Sequence, residues 1–263
     1  MNYLKMNFTI LLTLLLTICG CNKENMDNDN GSIKETEETE EFVFEKGEYS
    51  YLNVNLPFRE ISFNQENEKP SILVIFLHGH SGNGNDNASQ LRTGGVSDIA
   101  NFLSSQGLSS IFLVPQCAAN RSWSEITATN GTQMSVVLKN WIDSFVSSHS
   151  VDDNRIYVLG ASSGGAGVWR MLSDYPDLFA AAMPAVSIPR SVVADSVKQT
   201  PIYAIIGAND NVVNVSAVEP FLNEVQAAGG QVKFKIMPNS DHQQAVRDAF
   251  SNDCLQWVFS YTR

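Results

Sequence analysis

The sequence predicts an α/β fold in which a mainly parallel, twisted sheet is covered by helices on both faces. From residue 47 onward, short apolar segments typical of strands alternate with segments whose apolar residues recur at helical spacing. Residues 71–77, Ser-Ile-Leu-Val-Ile-Phe-Leu, form a continuous apolar run, as expected for a strand buried on both faces of a parallel sheet. Connections between parallel strands are right-handed crossovers, and they place helices over both faces.

Each element is predicted from its local pattern. The first two strands are predicted at 49–55 and 58–63, turning at Leu56-Pro57 as an antiparallel pair at the sheet edge. Apolar runs predict the later strands at 71–77, 110–114, 155–159, 180–186, 201–206 and 231–236. Helical spacing predicts helices at 97–106, 134–145, 163–173, 216–228 and 242–261. In the last strand, alternation predicts that Val232, Phe234 and Ile236 point inward.

The length and composition allow one large domain with tails. The chain has 263 residues, of which 43% are hydrophobic, and its formal net charge of −11 argues against nucleic acid as a partner. Much of that charge is local, because residues 22–41 carry eight acidic side chains against two lysines. Residues 21–46 are therefore predicted to be an acidic, disordered tether, and residues 47–263 to be the folded domain.

Residues 1–20 are predicted to be an export signal. Lys5 precedes an apolar run at 8–18 that is too short to span a bilayer. The run ends in Leu-Thr-Ile-Cys-Gly-Cys, which resembles a bacterial lipobox with Cys21 as the lipidated residue. A plain signal peptide cleaved nearby is the alternative. The expectation is a protein lipid-anchored to a bacterial membrane, facing the periplasm or the cell surface.

A strand, a sharp turn and a helix surround Ser162. The strand at 155–159 leads into Gly160-Ala-Ser162-Ser-Gly164, and a helix follows from Ser163. This context is that of a nucleophile elbow, in which small residues tolerate a strained turn that exposes a serine hydroxyl. A glycine-rich turn without catalytic meaning is the alternative. Ser162 is therefore predicted to be a catalytic nucleophile.

A serine nucleophile needs a base and an acid that orients the base. Of the four histidines, His242 follows the last predicted strand and opens the final helix, so it is the predicted base. Asp210 follows the strand before it and is the predicted acid, whereas Asp241 is expected to cap the final helix. A surface histidine and a turn aspartate are the corresponding alternatives.

Ligand sites of parallel sheets gather at the carboxyl ends of the strands. Four loops at predicted strand ends carry polar side chains and are expected to form the site: 78–84, 116–131, 160–164 and 207–213. The backbone N–H groups of His80 and Ser163 are predicted to form an oxyanion hole. In loop 116–131, Trp123 and Arg121 are candidates for binding the substrate, and a structural role for Trp123 is an equal alternative.

These motifs together resemble the α/β-hydrolase esterases. The resemblance extends over about residues 50–263 and includes His78-Gly79, Val114-Pro-Gln-Cys117, the segment 162–169 around the serine, and Tyr175-Pro-Asp-Leu-Phe-Ala-Ala-Ala182. The most similar branch holds predicted peptidases and esterases similar to polyhydroxybutyrate depolymerases and feruloyl esterases. One departure is Ser240-Asp241 before the histidine, where relatives often have glycine.

The resemblance implies an α/β-hydrolase fold and hydrolysis of carboxylic esters through an acyl-enzyme intermediate. It implies no cofactor, and no cluster of His, Cys and acidic residues has metal-ligand spacing. In this fold, lids that cover long acyl chains are commonly inserted after the strand that follows the elbow. Here that connection is residues 187–200, and a short helix predicted at 192–197 leaves no room in it for a lid domain. We therefore expect short-chain or aromatic acyl esters as substrates, including those of carbohydrates.

Two other functions stay open at this point. One is a serine peptidase of the same fold, and the other is a non-catalytic binding lipoprotein on the cell surface. The cysteines beyond the export signal, Cys117 and Cys254, are expected to be free thiols, with a disulfide between them as the alternative.

Overall fold

The computed structural model describes residues 42–67, 69–129 and 131–263. The predicted export signal, Cys21 and most of the predicted tether lie outside these residues. The strands are β1 (Glu45–Tyr51), β2 (Val54–Phe63), β3 (Ser71–Leu77), β4 (Ser110–Pro115), β5 (Val151–Ala161), β6 (Ala181–Ala185), β7 (Ile202–Gly207) and β8 (Val232–Met237). The helices are α1 (Val96–Ser105), α2 (Met134–Ser148), α3 (Ser163–Asp174), α4 (Ala194–Val197), α5 (Glu219–Ala227), α6 (His242–Asp248) and α7 (Asn252–Phe259).

One eight-stranded sheet organises the domain, in the order β1-β2-β4-β3-β5-β6-β7-β8. Strands β1 and β2 are antiparallel to each other, and β2 is antiparallel to β4, whereas all pairings from β4 to β8 are parallel. All seven residues of β3 are buried, as the apolar run predicted. The mainly parallel sheet predicted from the sequence is confirmed.

Helices cover both faces of this sheet. Helices α2, α3 and α5 bury Trp141, Trp169 and Leu222 in one hydrophobic core, and helices α1 and α7 bury Leu103 and Leu255 in a second core on the opposite face. Between β6 and β7 the described chain contains only the short helix α4, so no lid domain is inserted there.

The start of the domain differs from the prediction. Strand β1 begins at Glu45, before residue 47, and Phe44 is buried in the second core. The first turn lies at residues 52–53, because Tyr51 pairs with Val54, and not at Leu56-Pro57. Pro57 lies just beyond the last residue of β2 that pairs with β4, so its missing N–H interrupts no hydrogen bond of that pairing, and its carbonyl accepts a hydrogen bond from the N–H of Gln116 at 2.7 Å.

Two corrections concern the end of the chain. The single helix predicted at 242–261 is two helices, α6 and α7. They are separated where Phe250 turns into the core and packs edge-on against Phe76, with ring centroids 5.3 Å apart. In β8, Val232 and Phe234 pack on the first core as predicted, but Ile236 is 42% exposed because β8 is the edge strand.

Within the described residues, none of the helices combines the length and apolar character that a bilayer crossing requires.

Candidate active site

Ser162 lies between the end of β5 and the start of α3. Its backbone angles, φ 54° and ψ −117°, belong to a strained conformation that a serine adopts only when its surroundings impose it. The Ser162 N–H donates to the carbonyl of Ala185 at 3.0 Å, which ties the turn to β6. The predicted sharp turn from strand to helix is present at this residue.

The glycines around Ser162 are required by close packing. A Cβ atom at Gly164 would lie 1.8 Å from the carbonyl oxygen of Leu77, and one at Gly160 would lie 2.7 Å from the carbonyl carbon of Gly164. Any side chain at these positions would push α3 away from the ends of β3 and β5. The spacing Gly-x-Ser-x-Gly therefore follows from the contact between the first turn of α3 and the sheet.

His242 and Asp210 meet Ser162 in one hydrogen-bonded chain. Ser162 Oγ lies 3.0 Å from His242 Nε2, and His242 Nδ1 lies 2.8 Å from Asp210 Oδ2. Because a carboxylate only accepts hydrogen bonds, Nδ1 carries the ring proton, and Nε2 is left to accept the proton of the serine hydroxyl. The structure thus brings together the three residues predicted as nucleophile, base and acid.

The backbone that follows β7 holds the Asp210 carboxylate in place. Asp210 Oδ1 accepts hydrogen bonds from the N–H groups of Val212 and Val213, at 2.8 and 2.7 Å, and its side chain is fully buried. The neighbouring acid, Asp241, instead forms a capping box with Gln244 at the start of α6. Of the two acids considered for orienting His242, only Asp210 contacts the imidazole.

The departure at Ser240 leaves the histidine in position. The carbonyl of Ser240 accepts a hydrogen bond from the N–H of Asn209 at 2.9 Å, and a Cβ at Gly207 would lie only 2.4 Å from that carbonyl. Ser240 is not among the residues with positive φ, so its backbone does not require glycine. Its contribution comes from the main chain, which any residue supplies.

His80 and Ser163, the predicted oxyanion donors, occupy equivalent positions. Each is the first residue of a helical turn, His80 of the 3₁₀ turn His80–Gly82 and Ser163 of α3, so neither N–H has an acceptor within its own helix. The preceding Gly79 is close to the nucleophile, since a Cβ there would lie 3.8 Å from Ser162 Cβ. The 78–82 loop therefore runs beside Ser162.

His78 anchors the 78–82 loop from inside the protein. It is fully buried, its Nε2 accepts a hydrogen bond from the N–H of Cys117 at 3.0 Å, and its Nδ1 donates to the carbonyl of Gly79 at 2.7 Å. Burial lowers the pKa of His78 from 6.5 to about 4, because the charged imidazolium would lose its solvation. His78 is thus a neutral structural histidine.

Trp123 and Arg121 require a correction. Trp123 is 1% exposed, and its Nε1–H donates to the carbonyl of His78 at 3.1 Å. Arg121 is buried in an ion pair with Glu125 and donates to the carbonyl of Thr132 at 2.6 Å. Neither side chain is available to a substrate, so both support the loop that carries them.

A cleft of about 370 Å³ opens beside the nucleophile, and we call it the Ser162 cleft. Its lining residues are Ser124, Ile126, Ser162, Ser163, Ala166, Val186, Ser187, Ile188, Arg190, Ser191, Val212 and Val213. Ile126 and Val212 are 56% and 62% exposed, so they offer apolar surface at the cleft. Loop 186–191 was not among the four loops predicted from the sequence to form the site. This loop follows the carboxyl end of β6, and ligand sites of parallel sheets lie at such strand ends.

The remaining candidate nucleophiles and ligands do not form a second centre. Cys117 and Cys254 are free and buried, and burial raises the pKa of Cys117 to about 12. His149 is exposed and stacks on Phe145 at 3.9 Å between ring centroids. Across 42–67, 69–129 and 131–263, no three His, Cys, Asp or Glu side chains are grouped to hold a metal ion.

The family model of the dienelactone hydrolase family matches residues 66–257, which include all three members of the Ser162 hydrogen-bonded chain. The protein belongs to the dienelactone hydrolase family. Its folded domain has the α/β-hydrolase fold. This confirms the fold and the family resemblance expected from the sequence.

Individual relatives agree with this membership. The chain is 26% identical over 152 residues to the bifunctional acetylxylan esterase/xylanase of Neocallimastix patriciarum, covering 58% of this chain and 21% of that protein. It is 37% identical over 65 residues to the poly(3-hydroxyalkanoate) depolymerase C of Paucimonas lemoignei, covering 25% of this chain and 15% of that protein. The chain thus spans about a fifth or less of the length of these curated relatives.

Among solved structures, a thermostable esterase superposes with a TM-score of 0.75 at 25% identity. The match covers 84% of this chain and 63% of that one.

Proposed function

We propose that the protein is a serine hydrolase that cleaves carboxylic esters through an acyl-enzyme intermediate. The hydrogen-bonded chain from Ser162 through His242 to Asp210, with distances of 3.0 and 2.8 Å, carries this proposal. Membership of a hydrolase family and structural similarity to an esterase support it.

In the first half of the reaction, His242 Nε2 takes the proton of Ser162 Oγ, which attacks the ester carbonyl. The Asp210 carboxylate stabilises the imidazolium that forms and keeps Nδ1 protonated. The N–H groups of His80 and Ser163 stabilise the oxyanion of the tetrahedral intermediate. His242 then protonates the departing alcohol, and the same groups repeat the steps with water to release the acid.

The Ser162 cleft supports short-chain or aromatic acyl groups as substrates. Its volume is about 370 Å³, which suits a small acyl group, and Ile126 and Val212 present apolar surface to it. The similarity to an acetylxylan esterase supports esters of carbohydrates within this class. Because only the short helix α4 lies between β6 and β7, we expect no interfacial activation by micellar substrates.

For localisation we propose that Cys21 is lipidated and anchors the protein to a bacterial membrane, facing the periplasm or the cell surface. The lipobox-like segment Leu-Thr-Ile-Cys-Gly before Cys21 supports this proposal. Several acyl chains on one cysteine would give stable membrane binding. A Cys21→Ser variant should then appear in the soluble fraction, and a variant that stays membrane-bound would refute the anchor.

A fluorophosphonate probe combined with p-nitrophenyl acetate tests the proposed chemistry. Covalent labelling of wild type, absence of labelling in Ser162→Ala and a burst of p-nitrophenolate equal to the enzyme concentration are expected. A non-catalytic binding protein would neither label nor show a burst. Matched ester and p-nitroanilide amide substrates separate an esterase from a peptidase, and faster amide hydrolysis would contradict the ester assignment.

A further inference from the structure

Arg190 differs from every other arginine in the chain. All eight arginines fall within the described residues, and seven of them bond their guanidinium groups to protein oxygens. These seven are Arg59, Arg92, Arg121, Arg155, Arg170, Arg247 and Arg263. The guanidinium of Arg190 has no hydrogen bond or ion pair with any described residue. The one arginine whose whole guanidinium is unpaired among the described residues is also the one that lines the Ser162 cleft.

The backbone holds Arg190 at the cleft although its side chain is unpaired. The Arg190 N–H donates to the carbonyl of Ile188 at 2.9 Å, and Ser191 takes a left-handed conformation with φ 55°. Among the described residues that line the cleft there is no aspartate or glutamate, and Arg190 supplies the only formal charge. In a chain of net charge −11, this is a local positive site beside the nucleophile.

The position of the cleft indicates which half of the ester meets Arg190. The leaving alcohol must lie beside His242 Nε2, because this atom gives it a proton. His242 is not among the residues that line the Ser162 cleft, whereas Ser162 and Ser163 are. The cleft therefore receives the acyl half of the substrate, and the alcohol leaves on the side of His242.

We propose that Arg190 is a specificity-determining residue that binds a carboxylate on the acyl half of the substrate. The preferred substrates are then monoesters of dicarboxylic acids, a class that deepens the proposed function and rests on it. Ile126 and Val212 contact the carbon chain between the scissile carbonyl and the distal carboxylate. A planar guanidinium offers paired N–H donors that match a carboxylate, and an unpaired arginine holds them ready.

The test compares charged and neutral acyl groups of the same length. Its probes are the p-nitrophenyl monoesters of succinic, glutaric and adipic acid, each paired with its methyl-capped neutral diester. Rates of p-nitrophenolate release are corrected with Ser162→Ala, which leaves only spontaneous hydrolysis. For each pair, the measured quantity is the ratio of kcat/KM for the charged ester to kcat/KM for the neutral one.

One variant tests the role of Arg190, and two further variants are its controls. Arg190→Gln should lower the ratio about tenfold for at least one acyl length, a modest effect because water screens an exposed charge. Arg190→Lys should keep the ratio within about threefold of wild type, since the charge remains. Arg92→Gln removes the same charge from an exposed arginine that does not line the cleft, and it should leave the ratio unchanged.

Raising the ionic strength from 0.02 to 0.5 M should reduce the wild-type ratio and leave the rate on neutral esters unchanged. An equal ratio in wild type and Arg190→Gln at all three lengths would overturn the role of Arg190. So would an equal loss in Arg92→Gln, because it would show a general effect of charge. In both cases hydrolysis of neutral esters and fluorophosphonate labelling persist, whereas failure of the proposed function would abolish both.

Discussion

The two sides of Ser162 are constructed differently. On the side of the 78–82 loop, His78 bonds through both ring nitrogens, its carbonyl accepts from Trp123, and both side chains are buried. On the side of the Ser162 cleft, Ile126 and Val212 are more than half exposed, and the guanidinium of Arg190 has no bonding partner among the described residues. One side is fixed by internal hydrogen bonds, and the other presents unused groups.

This difference assigns separate tasks to the two sides. The proposed stabilisation of an oxyanion requires donors that do not reorganise, and the buried, hydrogen-bonded His78 holds the 78–82 loop that carries one of them. Substrate recognition instead requires surface and donors that the protein has not already satisfied. Changes on the 78–82 side should therefore alter stability and turnover for all substrates together. Changes in the cleft should alter the choice between substrates and leave stability nearly unchanged.

The largest effects are expected from substitutions of Ser162, His242 and Asp210, the hydrogen-bonded residues that lie between the two sides. Ser162→Ala and His242→Ala should each lower kcat by at least ~10³-fold, because the three residues act as a unit. Asp210→Asn should lower kcat by ~10²-fold or more, since an amide favours the wrong tautomer of His242. Steady-state kinetics with p-nitrophenyl acetate measures all three.

Asp241→Asn is the matched control for Asp210→Asn, because both remove a carboxylate near His242. Asparagine is also a good N-cap, so this variant should keep turnover within about threefold of wild type. A larger loss in Asp241→Asn than in Asp210→Asn would mean that the orienting acid is misassigned.

The second largest effect is expected from substitution of Trp123, which supports the 78–82 loop. Trp123→Ala should lower the free energy of unfolding by about 3–5 kcal/mol, because it removes a buried aromatic side chain. Trp123→Phe should cost about 1–3 kcal/mol, mainly because the carbonyl of His78 loses its buried donor. Urea unfolding measures both values. In Trp123→Phe, kcat should fall equally for charged and neutral esters, and a change in their ratio would place Trp123 at the substrate after all.

Trp123 marks the limit of what could be predicted from the sequence. Local patterns were sufficient for β3, whose continuous apolar run reflects burial on both faces, and for the elbow, whose glycines reflect contacts with neighbouring backbone. Ser162, Asp210 and His242 could be proposed because chain order and strand ends restrict their positions. An aromatic residue in a loop carries no such signal, because core support and substrate contact require the same residue type.

Arg190 was missed for a related reason. Its proposed role rests on the absence of a bonding partner among the described residues, and this absence can be recognised only once the other side chains have been placed. The split of the final helix was missed because the turn at Phe250 is set by packing on Phe76, a long-range contact. The error at Ile236 arose because alternation does not reveal that β8 is the edge strand.

The third prediction uses the buried His78. Its pKa is lowered to about 4 in the folded protein, whereas the unfolded chain has the ordinary value of 6.5. Between these values the unfolded state binds more protons, so the free energy of unfolding should fall as pH decreases from about 6.5 to about 4. His78 should therefore account for about 3 kcal/mol of the free energy of unfolding that is lost between pH 6.5 and pH values below 4.

Urea titrations of wild type and His78→Gln at pH 7 and pH 4.5 measure this contribution. The variant is expected to be less stable at pH 7, because it loses buried hydrogen bonds, but to lose about 2–3 kcal/mol less than wild type on acidification. An identical acid-induced loss in both proteins would show that His78 is not the group responsible.

The smallest effects are expected at the apolar edge of the Ser162 cleft. Ile126→Ala and Val212→Ala should each change the free energy of unfolding by no more than about 0.5 kcal/mol, because both side chains are largely exposed without substrate. Each should raise KM for p-nitrophenyl cinnamate about threefold and leave its kcat unchanged, since the lost contact is the same in ground and transition states. The KM for p-nitrophenyl acetate should stay constant, because an acetyl group is too short to reach them.

Leu52→Ala is the control for these two variants. Leu52 is 70% exposed at the turn between β1 and β2 and does not line the cleft, so its truncation removes exposed apolar surface without affecting acyl binding. A rise in KM for cinnamate in Leu52→Ala would indicate nonspecific adsorption of the aromatic ester. Equal rises for acetate and cinnamate in Ile126→Ala would place this side chain at the reacting carbonyl. A selective rise for cinnamate alone would locate the acyl group between Ser162 and Arg190, where the unpaired guanidinium can select among acids by charge.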